Sequence, residues 1–246
     1  MTTLPPLFPL LFPASYFLLL ALERFLPGRR QPPVRRWMGK GVLFFLLSGV
    51  ITTAVPAAVS AALGGRALLH LGRFGVAGGA LTATLVSSLT AYLLHRAMHR
   101  SPFLWRWFHQ MHHSAERMDL AGMAYQHPFE IVLAFGLPGI ATHLLGLSVD
   151  AAALAGFLGF ATSVFQHTNI RTPRFFGWLL MRPEAHALHH ARGVHAYNYG
   201  SVPLWDVVFG TYRNPVGFPD EYGFWNGASS RMGAMLIGRD VGAPPV

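Results

Sequence analysis

The amino-acid sequence predicts an all-α integral membrane helical bundle, three spans and an apolar hairpin that carry a cytoplasmic, histidine-rich helical cap. Three observations lead there. Only 12% of the 246 residues are charged while 52% are hydrophobic, about half the charge fraction of a soluble globular domain. The apolar residues fall in uncharged runs long enough to cross a bilayer. The cations gather in alternate connections between those runs.

The first run, residues 4–22, holds Pro5, Pro6, Pro9 and Pro13, so its first half is not expected to be regular helix. The opening Met1-Thr-Thr-Leu-Pro-Pro has no positive region and does not read as a cleavable signal peptide. The second run, 41–65, contains Pro56, which predicts a kink. The third, 74–94, ends at His95. Residues 131–166 hold two further apolar stretches, the second short for a full crossing, and predict either a spanning hairpin or a re-entrant pair. Histidine-bearing inserts, 95–128 and 167–213, complete a single membrane-embedded domain over 1–246. Within the first, Phe103-Leu-Trp105-Arg-Trp107-Phe108 reads either as an interfacial helix with its tryptophans at headgroup depth or as aromatics packed on the cap. From Asn214 onward, Pro, Gly and Ser without periodicity predict a loosely ordered tail.

The net charge of +9 is distributed for a membrane rather than for nucleic acid. Arg29, Arg30, Arg35, Arg36 and Lys40 follow the first run; Arg96, Arg100 and Arg106 follow the third; Arg171, Arg174 and Arg182 follow the hairpin. Opposite connections hold only Arg66 and Arg73. Over five crossings this positive-inside pattern places the N-terminus outside, the C-terminus inside and every histidine cluster on the cytoplasmic face of a bacterial inner membrane or the endoplasmic reticulum. Anionic headgroups account for the same cations. With no cysteine, disulfides, thiolate zinc sites, iron–sulfur clusters and thiolate-ligated haem are excluded.

Eight histidines fall in three patterned clusters, His95-x-x-x-His99, His109-x-x-His112-His113 and His186-x-x-His189-His190. At helical pitch the members of each share a face, so each cluster is predicted to aim at one spot. Neutral imidazole binds iron, zinc, copper or nickel. His95 and His99 close the third span, His109, His112 and His113 fold back after Ser101-Pro102, and His167 ends a hairpin that returns to the same face. His186, His189 and His190 close the site from the C-terminal side. There is no Glu-x-x-His pair, which excludes a carboxylate di-iron bundle, and no His-Glu-x-x-His helix. A facial triad would leave six histidines idle. Two metals, each held by several imidazoles, use the inventory best, and imidazole alone suits zinc as well as iron.

The runs His109-Gln-Met-His-His-Ser-Ala-Glu-Arg-Met-Asp119, His127-Pro-Phe-Glu130, Phe165-Gln-His-Thr-Asn169, His186-Ala-Leu-His-His190, Asn198-Tyr-Gly-Ser201, Leu204-Trp-Asp206 and Phe209-Gly-Thr-Tyr212 resemble the fatty acid hydroxylase/sterol desaturase superfamily over about residues 80–213. The first 75 residues match only in being apolar. The resemblance implies a non-haem di-iron oxygenase that hydroxylates or desaturates a C–H bond of a membrane lipid such as a sterol, hopanoid or fatty acyl lipid. It implies two iron ions, dioxygen as co-substrate, and a separate electron-donor protein, since no flavin, haem or iron–sulfur motif is present. The implied ligands are His95, His99, His109, His112, His113, His186, His189 and His190, with His167 a ninth. His127 reads equally as a ligand or as a group that orients one. His195 lies in a connector shorter than the family's and is not carried over. Asn169, Asn198 and Asp206 read as acceptors for ligand N–H groups. Tyr197 and Tyr199 read as substrate-entry or surface residues, Trp205 and Phe209 as core, and His70 and His143 as structural groups at the far side. Competing readings are a carotenoid ring hydroxylase, a catalytically inactive lipid-binding relative and a membrane metal transporter. The last expects polar residues near mid-span, which these runs lack.

Overall fold

Five apolar helices run up and down and carry the histidine clusters at one end. The computed structural model of the chain describes residues 3–244. A 3₁₀ turn, Phe8–Leu10, leads into α1 (Leu11–Phe25), and α2 (Trp37–Leu63) returns. After a second 3₁₀ turn, Leu71–Phe74, α3 (Gly75–Arg100) comes back to the first level. The cap begins with α4 (Pro102–Leu104), a π-helical turn over Trp105–His109, α5 (Gln110–His113) and α6 (Leu120–Met123). The hairpin is α7 (Pro128–Leu144) and α8 (Val149–Gln166). After a 3₁₀ turn, Arg174–Trp178, come α9 (Pro183–His189) and α10 (Pro203–Val208); a last 3₁₀ turn, Ala228–Arg231, precedes α11 (Met232–Met235). No β-strand occurs among the described residues, only isolated bridges at Pro27 with Ile170 and Ala191 with Tyr222.

Two sets of connections define the ends. At the far end, the N–H groups of Leu68 and Leu69 donate to the Leu144 carbonyl and His143 Nε2 donates to the Gly64 carbonyl, 3.0 Å away. At the histidine end, Gly28 N–H donates to Asn169 O at 2.6 Å. The Glu23 carboxylate accepts the Asn169 N–H at 2.9 Å and the Leu120 N–H at 3.1 Å. Four helical segments, Phe8–Phe25, Trp37–Leu63, Leu71–Arg100 and Val149–Gln166, are long and apolar enough to cross a membrane. Their outer faces carry side chains such as Phe17 and Val50 that are 61% and 66% exposed. In water that surface would drive association; against acyl chains it is matched. The chain is an integral membrane protein.

Element bounds differ from the sequence reading in instructive ways. The first span begins only at Phe8, as its prolines dictate, and runs past residue 22 to take in Glu23 and Arg24 at the polar end. Helix α2 passes through Pro56 without a break in the helix. Helix α3 has 26 residues, about 39 Å at 1.5 Å per residue, roughly 9 Å more than a hydrocarbon core needs. The surplus is the turn and a half that carries His95 and His99. Helix α7 has 17 residues and α8 has 18, about 26–27 Å each, so the hairpin is of near-spanning depth. Gly79 makes the α3–α8 contact possible, because a Cβ there would lie 2.8 Å from that of Ala151.

The segment after Asn214 is a correction: it is packed, not loose. Tyr222, Ala228, Ser229, Met235 and Val241 are buried. Glu116 Oε1 accepts the Gly227 and Ser229 N–H groups, and the Gln110 side chain bonds both Arg239 O and Val241 N–H. Specific long-range hydrogen bonds replace the periodicity that sequence inspection looks for.

Candidate metal centre

The three clusters meet as predicted, but each HxxHH motif serves two spots rather than one. Nine imidazoles form two buried or half-buried groups: His95, His99, His109, His113 and His189, and His112, His167, His186 and His190. In each group the nearest ring nitrogens lie within 4.8 Å of one another. The division follows from helix pitch. Residues i and i+4 differ by about 40° around the axis while i+3 and i+4 differ by about 100°. Across the end of the π-turn and α5, His109 and His113 therefore face the group of five and His112 the group of four. Across α9 and its end the pattern inverts: His186 and His190 face the group of four, His189 the group of five. The groups adjoin where His113 and His190 stack, ring centroids 4.2 Å apart.

Four tautomers are fixed from outside. His95 Nδ1 donates to Tyr199 O at 2.6 Å, His189 Nδ1 to Tyr197 O at 2.8 Å, His167 Nδ1 to Ser163 O at 2.7 Å and His109 Nδ1 to the Glu130 carboxylate at 2.7 Å. A carbonyl oxygen only accepts, so in these rings Nε2 is left with a bare lone pair. Those lone pairs converge. His109 Nε2 lies 3.0 Å from His113 Nε2, and His167 Nε2 lies 3.2 Å from His112 Nε2 and 3.0 Å from His186 Nε2. The Nε2 atoms of His95, His99, His189 and His190 are buried with no hydrogen-bond partner. Each such atom costs about 1–3 kcal/mol unless something occupies its lone pair. A cation in each group satisfies them, so the donor set fits a pair of nitrogen-preferring metal ions.

Burial is the largest cause, and neighbouring imidazoles the next, of the downward shift that keeps His109, His112, His113, His186, His189 and His190 well below the usual histidine range. Burial also lowers His167 to about 4, against the opposing Ser163 hydrogen bond. All are neutral and metal-competent at pH 7.

The backbone that supplies two of the acceptors is strained. His195, Tyr197 and Asn198 all have positive φ, at 41°, 65° and 47°, which for non-glycine residues costs about 1–3 kcal/mol each. The Asn198 side chain holds this turn, donating to Ala185 O at 2.7 Å and accepting the Arg213 N–H at 2.8 Å. Asp206 accepts the Tyr199 and Gly200 N–H groups and the Thr211 hydroxyl. Neither residue meets a histidine; they shape the loop whose carbonyls do. Asn169 differs again, binding the Arg29 backbone through both side-chain atoms.

His127 is not brought to either group. Its Nδ1 accepts the Phe129 N–H as the N-cap of α7 and its Nε2 faces Leu236 O at 3.4 Å, which leaves no lone pair for a metal. His195 sits at the edge, with its Nδ1 3.0 Å from His113 Nδ1 and its ring against Trp105 and Phe224. Trp105 covers His99 and His113 at centroid distances of 5.1 Å, so the aromatic run packs on the cap. The run's π-turn, closed by Gln110 N–H to Trp105 O, sets the entry of α5.

Sequence comparison speaks to the same segment. The profile of the fatty acid hydroxylase family matches residues 80–211, more than half of the chain and all nine converging histidines. The chain belongs to the fatty acid hydroxylase family. The chain is 29% identical over 140 residues to the ornithine lipid hydroxylase OlsE of Rhizobium tropici, covering 53% of this chain and 40% of the relative. It is 30% identical over 139 residues to sphinganine C4-monooxygenase 1 of Arabidopsis thaliana, 54% of this chain and 53% of the relative. It is 34% identical over 139 residues to a fatty acid hydroxylase of Lecanicillium sp, 49% of this chain and 38% of the relative. The chain spans about half or less of the length of these curated relatives. No solved structure matches it.

The sequence pattern assigned no role to Glu130 or to the Tyr197 and Tyr199 carbonyls. Glu130 carried a usable signal, being the lone acidic residue within Pro128–Leu144. Main-chain acceptors carry none, because any residue supplies a carbonyl.

Proposed function

We propose that this chain is a non-haem di-iron oxidoreductase of the membrane that hydroxylates or desaturates a C–H bond of a lipid. The reading rests on the way the two HxxHH motifs interleave, giving two adjoining imidazole groups whose tautomers are set by Tyr199, Tyr197, Glu130 and Ser163. His95, His99, His109, His113 and His189 would hold one iron, and His112, His167, His186 and His190 the other. When bound, such a pair supplies dioxygen-dependent oxidation of an unactivated C–H bond, drawing electrons from a separate donor protein. The chain's own residues do the rest. Glu130 and the three carbonyls hold the rings in their metal-facing orientation. Trp105 and Tyr199 pack against the histidines and limit water at the group of five.

The activities of the relatives, on ornithine lipid and sphinganine, favour a lipid with a long acyl or alkyl chain as substrate. The basic loops at the histidine end support a cytoplasmic placement of that end. Transport is disfavoured because the histidines cluster at the ends of α3 and α8 rather than at mid-span. The test is purification with metal analysis, oxygen uptake and comparative lipidomics of cells with and without the gene. About two irons per chain and a mass change of about +16 or −2 on one lipid class are expected. Labile zinc with no oxygen consumption would overturn the proposal.

A further inference from the structure

On the cap, behind both HxxHH segments, lies a polar cavity of about 380 Å³ that the histidines do not enter. Its wall is built from four separate stretches: the Arg29–Pro32 connection, Glu116 three residues after His113, Arg192 two residues after His190, and residues of the Asp220–Asn226 segment. Several of its polar atoms are buried and unpartnered. Glu116 is 6% exposed; its Oε1 accepts two backbone N–H groups, while Oε2 has no partner. Tyr222 is 2% exposed, and its hydroxyl has no partner. Gln31 donates through Nε2 to Met118 O and leaves Oε1 unmatched. Arg192 is tied to Glu221 and Asn226 through its terminal nitrogens, and its Nε is unmatched.

These atoms divide by chemistry. Glu116 Oε2 and Gln31 Oε1 are acceptors, one of them charged, and call for a cationic donor. Arg192 Nε is a donor. Arg30, whose guanidinium has no hydrogen-bond or carboxylate partner among the described residues, lines the same cavity and adds positive charge. The Tyr222 hydroxyl serves either kind of partner. A buried carboxylate oxygen and a buried guanidinium N–H left empty in one cavity are each costly, and a ligand of one sign would satisfy only half of them.

We propose that this cavity is a second binding site, for a small zwitterion that carries a primary ammonium a few bonds from a phosphate or carboxylate. The ammonium lies against Glu116 and Gln31, the anion against Arg192 and Arg30. The same chemistry occurs free in solution and at the head of an ethanolamine or aminoacyl lipid. The Arg29–Pro32 stretch joins two spans, α1 and α2, which brings the cavity within a short loop of the membrane. The inference is independent of the metal reading.

The test uses the full chain purified in detergent and titrated calorimetrically with O-phosphoethanolamine, with ethanolamine and inorganic phosphate as half-ligands. Saturable binding of the zwitterion is expected, with each half-ligand at least about tenfold weaker. Glu116→Gln, which keeps the acceptor for the Gly227 and Ser229 N–H groups, should weaken binding about tenfold or more. Tyr222→Phe removes one hydroxyl and should weaken it about threefold to tenfold. The two sources separate in nanodiscs. Suppression of phosphoethanolamine binding by phosphatidylethanolamine discs but not phosphatidylglycerol discs identifies a lipid headgroup; equal binding in both identifies a free ligand. No saturable binding, phosphate binding as tightly as the zwitterion, or affinity unchanged in both variants would overturn the proposal.

Discussion

In the group of five, His95, His109 and His189 are each fixed by an acceptor outside the cluster. In the group of four, only His167 has such a support, while Nδ1 of His112 and of His186 is buried without a partner. The groups draw on the same motifs and adjoin through two stacked pairs, His113 with His190 and His186 with His189, yet one is braced from three directions and the other from one. Orientation of a ligand ring depends on what its second nitrogen does. The group of four therefore has both fewer rings and less to hold them, and it is the weaker of the two candidate metal positions.

The largest effect tests that ranking. His190→Ala leaves three imidazoles in the weaker group, whereas His99→Ala leaves four in the braced one. Turnover should vanish in both, because the proposed chemistry uses both positions. Metal content should not fall equally: about one ion per chain is expected for His190→Ala and close to two for His99→Ala. Mass-spectrometric metal analysis of the purified variants reads the difference. Greater depletion in His99→Ala would reverse the ranking, and equal depletion would remove it.

A middle-sized effect concerns the one brace that is a side chain. Glu130→Gln retains an oxygen that can accept from His109 Nδ1, and Glu130→Ala loses it. Supporting-shell changes of this kind cost about 10–100-fold in metal affinity or activity. We expect Glu130→Ala near the upper end and Glu130→Gln near the lower, read as apparent metal affinity alongside turnover. The group of four offers no equivalent experiment, since its brace is the Ser163 carbonyl. If Glu130→Ala binds metal as the parent does, the brace is structural only.

The contrast also marks what the sequence reveals. Apolar run length, cation placement and histidine spacing made the five-helix bundle and all nine converging histidines legible, because each rests on a period or a charge that a sequence displays. The His95/His99 pair at the end of α3 follows directly from run length. Which group each histidine joins was not seen: the clusters read as one spot apiece, while the difference of about 100° between neighbouring residues sends His112 and His113 apart. The braces were missed because three of the four are carbonyls, and because the αL turn at Tyr197-Asn198 has no glycine to announce it. Asn198 and Asp206 were singled out, yet they act on that turn and not on the rings. The packing of the tail from Asn214 is illegible in the sequence for a related reason. Gly227, Trp225 and Val241 are tied down by single long-range hydrogen bonds, which leave no pattern in the chain.

The smallest effect at neutral pH is nil, and it grows with acidity. Burial lowers His167 to about 4 in the folded chain and holds the other cap histidines well below their usual range, whereas in the unfolded chain they titrate near about 6.5. Between those values the unfolded state binds more protons, so stability rises with pH. Metal-free protein should hold its full stability above about pH 6.5 and lose it as pH falls toward 4. Thermal unfolding in detergent at steps from pH 7.5 to 4.5 measures the slope. Bound metal competes with protons for the same lone pairs, so the loaded protein should be flatter over the upper part of that range. His167→Gln removes one titrating ring from the group of four and should shallow the metal-free slope. His70→Gln, an exposed residue at the far end, should not change it. A metal-free unfolding temperature that does not move between pH 7.5 and 4.5 would mean that the histidines of both groups are open to water, and the distinction between a braced and an unbraced group would go with it.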